Sequence, residues 1–580
     1  MDDQRQEYLL EDLDPVQAAF AKRVLRWAEE VVAVFKDHRD GTAPLRIPRL
    51  RSYLLGSAGS GKSKTLKTCV CHIRRSFQRE NIDATVALTA YTGVAAFNMK
   101  FGAKTACSAF NIGRGKFEKE LTGQRQRQCE VTWKSVVLLI VDEISFIGKA
   151  FFAQMHHHFR QGKRELWERA LVADGFKYED IRDWGNMSII LVGDFGQLDP
   201  INDWSFFDTE TSYLTVPSRL RGKWPYAREG QALVESFSEA VILREIHRSK
   251  EDQWWTKSCL DLRNFELRCR EHWESWLLHD LDRGHFTDAQ KDYFETKAIW
   301  LCARLVDVGK RNGERLAALA HAESRMIHRI RAQYPRARSH SKLSKRPASE
   351  FDGLRDVINL VRGCKVMITR NVAYALGLAN GTRGTLVGVI YGKGQPVGTF
   401  PEAIIVDVPD YTGEGVYEGE PTWVRILPMS AFNSQGQERF QFPLVAGYAI
   451  SVNKSQGLTL EEGVVIHLAS SGRSFIPAAK HGMPFVAFTR SENFATTAFK
   501  NLPPIGEFMK GRQSSMLRMR RAFEEKLERM HERTLRRWDK DWIPEKEQEL
   551  LEEWRAKQAG KRHKSNGPKM RCLACESAGW

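Results

Sequence analysis

The stretch Gly56-Ser57-Ala58-Gly59-Ser60-Gly61-Lys62-Ser63 constrains this chain more than any other. It fits G-x-x-x-x-G-K-[ST], a loop whose backbone N–H groups close around phosphate oxygens. Such a loop joins a strand to a helix, and the flanks agree. Tyr53-Leu54-Leu55 reads as a short buried strand, and Lys64 to Phe77, with Leu66, Val70 and Ile73 on one side, reads as the helix that follows. A Gly/Ser-rich turn that matched by chance would have no reason to carry that order. The glycines permit the inward turn, and the helix N-terminus adds its positive end. Lys62 would reach the β- and γ-phosphates, and Ser63 would hold Mg²⁺. The expectation is an α/β fold with ATP and Mg²⁺ as cofactors, contacted by Gly56 through Ser63.

The pattern repeats along the chain. Val86 to Thr89 is an apolar strand before the turn at Thr92-Gly93. Val136 to Val141 is an unbroken apolar run ending in Asp142-Glu143, and Ile189 to Val192 is another, ending in Gly193-Asp194. Runs of this kind mark strands buried on both faces, so they predict a parallel sheet with its site at the strand C-termini. ATP hydrolysis needs a held Mg²⁺ and a base for water. Asp142 is the expected metal ligand with Ser63, and Glu143 the base. Gln197 could sense the γ-phosphate beside Asp194. The transition state also needs positive charge from outside the loop, worth about 10³–10⁵ in rate; Arg248 and Arg490 are candidates, which spacing alone does not single out from the many arginines.

The 580 residues leave room for about three or four domains. The net charge of +16 favours a polyanionic partner, nucleic acid before an anionic membrane surface. Met1 to Arg5 is polar and no run is long and apolar enough to span a bilayer, so the expectation is an intracellular chain with no membrane partner. Cysteines such as Cys69, Cys71, Cys302 and Cys364 sit singly in apolar segments, as reduced buried thiols do. Cys572 and Cys575 form a close pair without the second pair that a structural zinc needs. Residues 112 to 130 are rich in Gly, Lys, Arg and Gln, and read as a solvated loop or a small protruding element. Leu386 to Leu444 shows short β-like runs with many Gly and Pro residues, as in a small barrel. Residues 510 to 560 are helical and charged, with a thin stripe of Phe523, Leu527 and Met530. Lys561-Arg562-His563-Lys564 is a basic cluster that could serve as a nuclear address.

Together these segments resemble superfamily 1 helicases of the petite-integration-frequency (PIF-one) and RecD-like branch. Gln17 matches that family's adenine-reading glutamine. Thr89 to Ala96 and Gly102 to Phe110 resemble its DNA-contacting motif Ia region. Ile140 to Ser145 resembles motif II, Val192 to Pro200 motif III, and Leu243 to Arg248 motif IV. Asn380 to Gly384 resembles the start of the inserted barrel, Tyr448 to Leu460 motif V, and Val486 to Arg490 motif VI. The resemblance covers residues 10 to 500. It implies two RecA-like P-loop motor domains with ATP in the cleft between them and 5′-to-3′ movement on single-stranded DNA. The first would span 1–234 with a wedge at 112–130, and the second 235–385 and 443–505, with the barrel at 386–442. The helical, basic tail 506–580, partly disordered, could bind duplex or a protein partner, or pack as an amphipathic helix by Phe523, Leu527 and Met530. On these bounds Arg248 falls in the second domain.

Expected DNA contacts are Thr92, Thr105, Asn380, Lys454, Ser455, Gln456 and Thr459. The partners implied are single-stranded DNA and DNA forks, met by a monomer located in the nucleus. The chain departs from the family pattern at Cys107 and Asn453, where histidine is usual, at Asp199-Pro200 and at Arg248-Ser249. Those departures leave open a nucleic-acid-binding ATPase scaffold, a translocase with weak or no unwinding, or an RNA-directed motor.

Overall fold

The apolar runs become the centre of a parallel sheet. In the computed structural model, β1 (Arg51–Gly56), β2 (Thr85–Ala90), β3 (Lys104–Thr105), β4 (Val136–Asp142), β5 (Ser188–Gly193) and β6 (Glu239–Leu243) line up in the order β3-β2-β4-β5-β1-β6. Every neighbouring pair is parallel. β1, β4 and β5 are buried at every residue, because strands inside a sheet covered on both faces offer no position to water. Their parallel direction brings the phosphate loop, Asp142-Glu143 and Asp194 to one edge. The structure describes residues 8–541 except 114–116, 119, 164–171, 173–174, 176–182, 210–215, 336–339, 434 and 470–479. The basic cluster at Lys561 and the Cys572/Cys575 pair lie outside the described residues. The described cysteines are all free thiols, and no described helix is long and apolar enough to cross a membrane.

The chain divides into two compact units, and the division corrects the expected boundary at 234/235. The first unit comprises the described residues of Met1–Arg270, Ala479–Phe485 and Ile505–Trp580. β6 belongs to it, pairing with β1 from Ser52↔Glu239 to Gly56↔Leu243 and burying Val241 and Leu243. Arg248, which follows β6, is therefore a first-unit residue. The described part of the tail follows the packing reading. Ser515–Asp541 is a 27-residue helix whose stripe is already occupied. Leu527 and Met530 enter the same core as Tyr53, Leu139 and Ile189, with Phe523 packed against it. That stripe is consumed inside the unit rather than held out for a protein partner.

The described residues of 112–130 are anchored at three points. Ile112, Leu121 and Cys129 are buried, and the helix Gly123–Trp133 rests on the helix Lys149–Lys163, with the Cys129 thiol donating to the His158 carbonyl at 3.3 Å. The polar composition hid these three anchors.

The second unit comprises the described residues of Glu271–Ala478 and Val486–Pro504. Its parallel sheet has four strands, ordered Ala449–Ser451, Ile299–Cys302, Val464–His467 and Thr497–Phe499. The inserted β region is wider than 386–442. Trp423–Ile426, Ala403–Asp407, Arg383–Ile390, Lys365–Ile368 and Leu444–Ala446 form one antiparallel sheet in that order, beside the hairpin of Met429–Phe432 and Glu438–Gln441. Among the described residues its ladder is an open sheet rather than a closed barrel, built over Leu386, Ile404, Val406, Val424 and Leu444.

Candidate nucleotide site and candidate DNA contacts

The loop keeps its shape through two glycines. Gly59 and Gly61 have φ of +83° and +82°, a left-handed conformation that costs other residues energy. Both are also crowded. A Cβ on Gly59 would stand 2.6 Å from the Arg248 Cβ, and one on Gly61 would collide with the Gln17 amide. Ser60 between them is fully buried, and its hydroxyl has no hydrogen-bond partner among the described residues. Lys62 donates to the Gly56 carbonyl at 2.6 Å and the Ser57 carbonyl at 2.9 Å. No side chain caps the helix Lys62–Arg79 at Gly61, so its first N–H groups and positive end remain available to an anion. Ser63 is exposed in that first turn.

Acidic groups face the lysine. Burial lowers the Lys62 pKa, while Asp194, Asp142 and Glu143 raise it and Arg248 lowers it; all four lie within its electrostatic reach. Burial, and then the Glu143 charge, push the Asp142 carboxyl up to about 7. A bound divalent cation would favour its ionised form. Glu143 sits at φ +57° and ψ 45°, a left-handed position for a non-glycine residue and the kind of strain that gathers at functional sites. Its N–H donates to Asp142 Oδ1 at 2.8 Å.

Burial would also raise the Asp194 carboxyl, but the charge and hydrogen bonds of Arg263 outweigh it and hold the group below the usual carboxylate range. Asp194 Oδ2 and Gln197 Oε1 are buried without a hydrogen-bond partner among the described residues. With Ser60 Oγ they are three polar atoms at one sheet edge, left unpaired where burial normally demands pairing. The donor set suits a nucleoside triphosphate with Mg²⁺. The segment around His481 supports the Gln197 turn: His481 contacts Asp199 at 3.0 Å, and a Cβ on Gly482 would collide with the Gln197 carbonyl.

Gln17 is brought to the loop, but its amide is engaged with backbone. Its Nε2 donates to the Ser60 carbonyl at 3.1 Å, and its Oε1 accepts from the Asp14 N–H in a capping box of the helix Pro15–Arg39. Asp14 and Gln17 also meet the His247 ring, each at 3.1 Å, and the His247 backbone N–H donates to the Gly59 carbonyl. Sequence reasoning missed Asp14, His247, His481 and Arg263. Only Asp14 left a signal, in its N-cap position before Pro15.

Arg490 lies in the second unit, 2% exposed. Its guanidinium donates to the carbonyls of Val486, Ser455 and Leu458 and to the Thr489 hydroxyl, at 2.9–3.2 Å. This ties the Ser455–Leu458 segment to Val486–Thr489 and engages the guanidinium within its own unit, where the expectation was an arginine finger on ATP. Of the expected DNA contacts there, Lys454 is exposed and Thr459 half-buried. Ser455 and Gln456 correct the expectation: both are buried, and the Ser455 hydroxyl donates to the Val452 carbonyl, so neither offers a surface to DNA. Asn380 is half-buried in a turn, its N–H on Asn371 Oδ1. Thr92 and Thr105, at the ends of β2 and β3, cap the helices Gly93–Met99 and Ala106–Ala109.

A parallel sheet with a phosphate loop after β1, an acidic pair after β4 and a polar turn after β5 defines a P-loop nucleotide-binding unit, here followed by a second α/β unit. The family model described as PIF1-like helicase matches residues 50–213. The chain is 26% identical over 427 residues to ATP-dependent DNA helicase PIF6 of Trypanosoma brucei brucei, covering 70% of this chain and 46% of the relative. It is 25% identical to human ATP-dependent DNA helicase PIF1, covering 76% and 57%; it thus spans about half the length of these two relatives. Among solved structures, Pif1 helicase from Candida albicans matches with a TM-score of 0.58 at 20% identity, covering 88% of this chain and 99% of that one. Pif1 from Bacteroides, solved with ADP-AlF3 and single-stranded DNA, matches with 0.55 at 20% identity, covering 82% and 94%. These likenesses carry the fold. The family-model match is confined to residues 50–213, within the first unit.

Proposed function

We propose that this chain is an ATP-dependent DNA helicase that moves 5′ to 3′ on single-stranded DNA and unwinds duplex at forks, as a monomer. The observation that supports this most is the gathering of Lys62, Asp142, Glu143, Asp194 and Arg248 around one phosphate loop. The names of the relatives supply DNA as the polymer and ATP as the fuel; the direction follows from the family resemblance.

Ser63 and Asp142 would hold Mg²⁺, which when bound neutralises charge on the phosphate oxygens. Lys62 would exchange the Gly56 and Ser57 carbonyls for phosphate oxygens. Glu143 takes the proton of the attacking water, and Gln197 orients that water. Arg248 stabilises the charge that develops in the transition state. Arg490 braces the Ser455–Leu458 segment, and through it the exposed Lys454 and Thr459. Those two, with Thr92, Thr105 and Asn380, are the proposed strand contacts. The basic cluster at Lys561 supports a nuclear location.

The test is ATP turnover with and without single-stranded DNA, wild type beside Lys62→Ala. Turnover that single strands raise and Lys62→Ala abolishes is the expected result. Turnover indifferent to saturating single strands would replace this reading with a scaffold that binds nucleic acid without coupling.

A further inference from the structure

The helix Ser515–Asp541 reaches the nucleotide site by two routes. The first is ionic. Asp194 Oδ1 accepts from the Gly196 N–H at 2.9 Å and from Arg263 Nε and its neighbouring guanidinium nitrogen at 3.1 and 2.6 Å. The same guanidinium also donates to Glu524, on the helix. Arg263 lies so close that a Cβ on Gly196 would collide with it. Arg520, fully buried one turn before Glu524, donates to the Arg263 carbonyl at 3.1 Å and to the Asn264 side chain, and Phe523 meets Phe195 at a ring distance of 5.2 Å. The second route is the sheet edge. β6 is an edge strand, and its outward N–H groups at Ala240 and Ile242 donate to Thr534 Oγ1 and His531 Nδ1 of the helix, at 3.2 and 3.3 Å. β6 leads to His247 and Arg248 beside the loop.

A buried carboxylate is costly unless a cation and hydrogen bonds hold it. Arg263 supplies both to one oxygen of Asp194 and leaves the other, Oδ2, without a hydrogen bond among the described residues. Glu524 balances the Arg263 charge and accepts from the guanidinium nitrogen that also donates to Asp194. We propose that Arg263 and Glu524 are positioning residues for ATP hydrolysis, through which the C-terminal helix sets the orientation of Asp194 and of the turn that carries Gln197. Neither residue would touch the nucleotide. This inference rests on reading the first unit as an ATPase.

The experiment is steady-state ATP turnover on the full chain for Arg263→Gln, Glu524→Gln, their double variant, Met530→Ala and Lys62→Ala. Arg263→Gln is expected to lower kcat by about tenfold or more with little change in KM for ATP, as lost support of a reacting group does. Glu524→Gln should lower it in the same direction by less, and the double variant should match Arg263→Gln alone. Met530→Ala removes core packing of the same helix without touching Asp194; it should lower the melting temperature and leave kcat unchanged below it. A normal kcat in a folded Glu524→Gln chain overturns the proposal, as does a kcat loss in Met530→Ala equal to that in Glu524→Gln. If Arg263→Gln fails to fold, Glu524→Gln against Met530→Ala still decides. Wild-type turnover that survives Lys62→Ala would overturn the ATPase reading itself, a separate outcome.

Discussion

The loop region of the first unit and the Arg490 region of the second treat buried polar groups in opposite ways. Around the loop, Ser60 Oγ, Asp194 Oδ2 and Gln197 Oε1 lack hydrogen bonds among the described residues, and Lys62 rests on two loop carbonyls. Around Arg490 the guanidinium has four acceptors, and Ser455 is bonded locally. Unmet bonding capacity is the mark of a site that receives a ligand; a guanidinium spread over four acceptors is the mark of a joint that holds a shape. Substitutions near the loop should therefore cost activity more than stability, and substitutions at Arg490 the reverse.

The largest contrast should come from Glu143→Gln. Losing the general base is expected to slow ATP turnover by about 10²–10⁴-fold, while urea denaturation moves little because Glu143 is half-buried. Arg490→Ala comes next. It strips three carbonyls and a hydroxyl of their donor and should destabilise the second unit by about 3 kcal/mol or more. An unchanged denaturation midpoint would break the comparison.

The third effect is pH dependence. The Asp142 carboxyl is raised to about 7 from 3.8. Between those values the folded chain without nucleotide holds a proton that the unfolded chain has lost. Stability therefore falls as pH rises through that window and levels off above it. Denaturation midpoints across that range should show the slope, and Asp142→Asn should flatten it. The smallest effect is Ser60→Ala. Removing a hydroxyl with no hydrogen bond among the described residues should leave stability within about 1 kcal/mol and weaken nucleotide binding by about 1 kcal/mol, read by calorimetric titration.

How legible each part was follows from the range of its interactions. β4 and β5 announce themselves as unbroken apolar runs, and the acidic pair is legible because it ends one of them. The loop is legible because glycine, lysine and serine at fixed spacing do a local job. β6 is short and its place beside β1 is a fact of strand order, so sequence pattern alone puts the boundary before it and Arg248 in the second unit. Arg263 was invisible because its partners Asp194 and Glu524 lie 69 and 261 positions away. The stripe of Ser515–Asp541 could be read, but not the surface it covers. Motif V showed a segment that matters without showing which side chains turn inward, so Ser455 and Gln456 were assigned to a surface they do not reach.

The most direct measurement is unwinding of two forked duplexes, one with a single-stranded 5′ tail and one with a 3′ tail, by the wild-type chain with ATP. A 5′-to-3′ helicase separates the 5′-tailed fork and leaves the other annealed, and Lys62→Ala separates neither. A chain that hydrolyses ATP in the presence of both forks and opens neither, or opens only the 3′-tailed one, contradicts the proposed function.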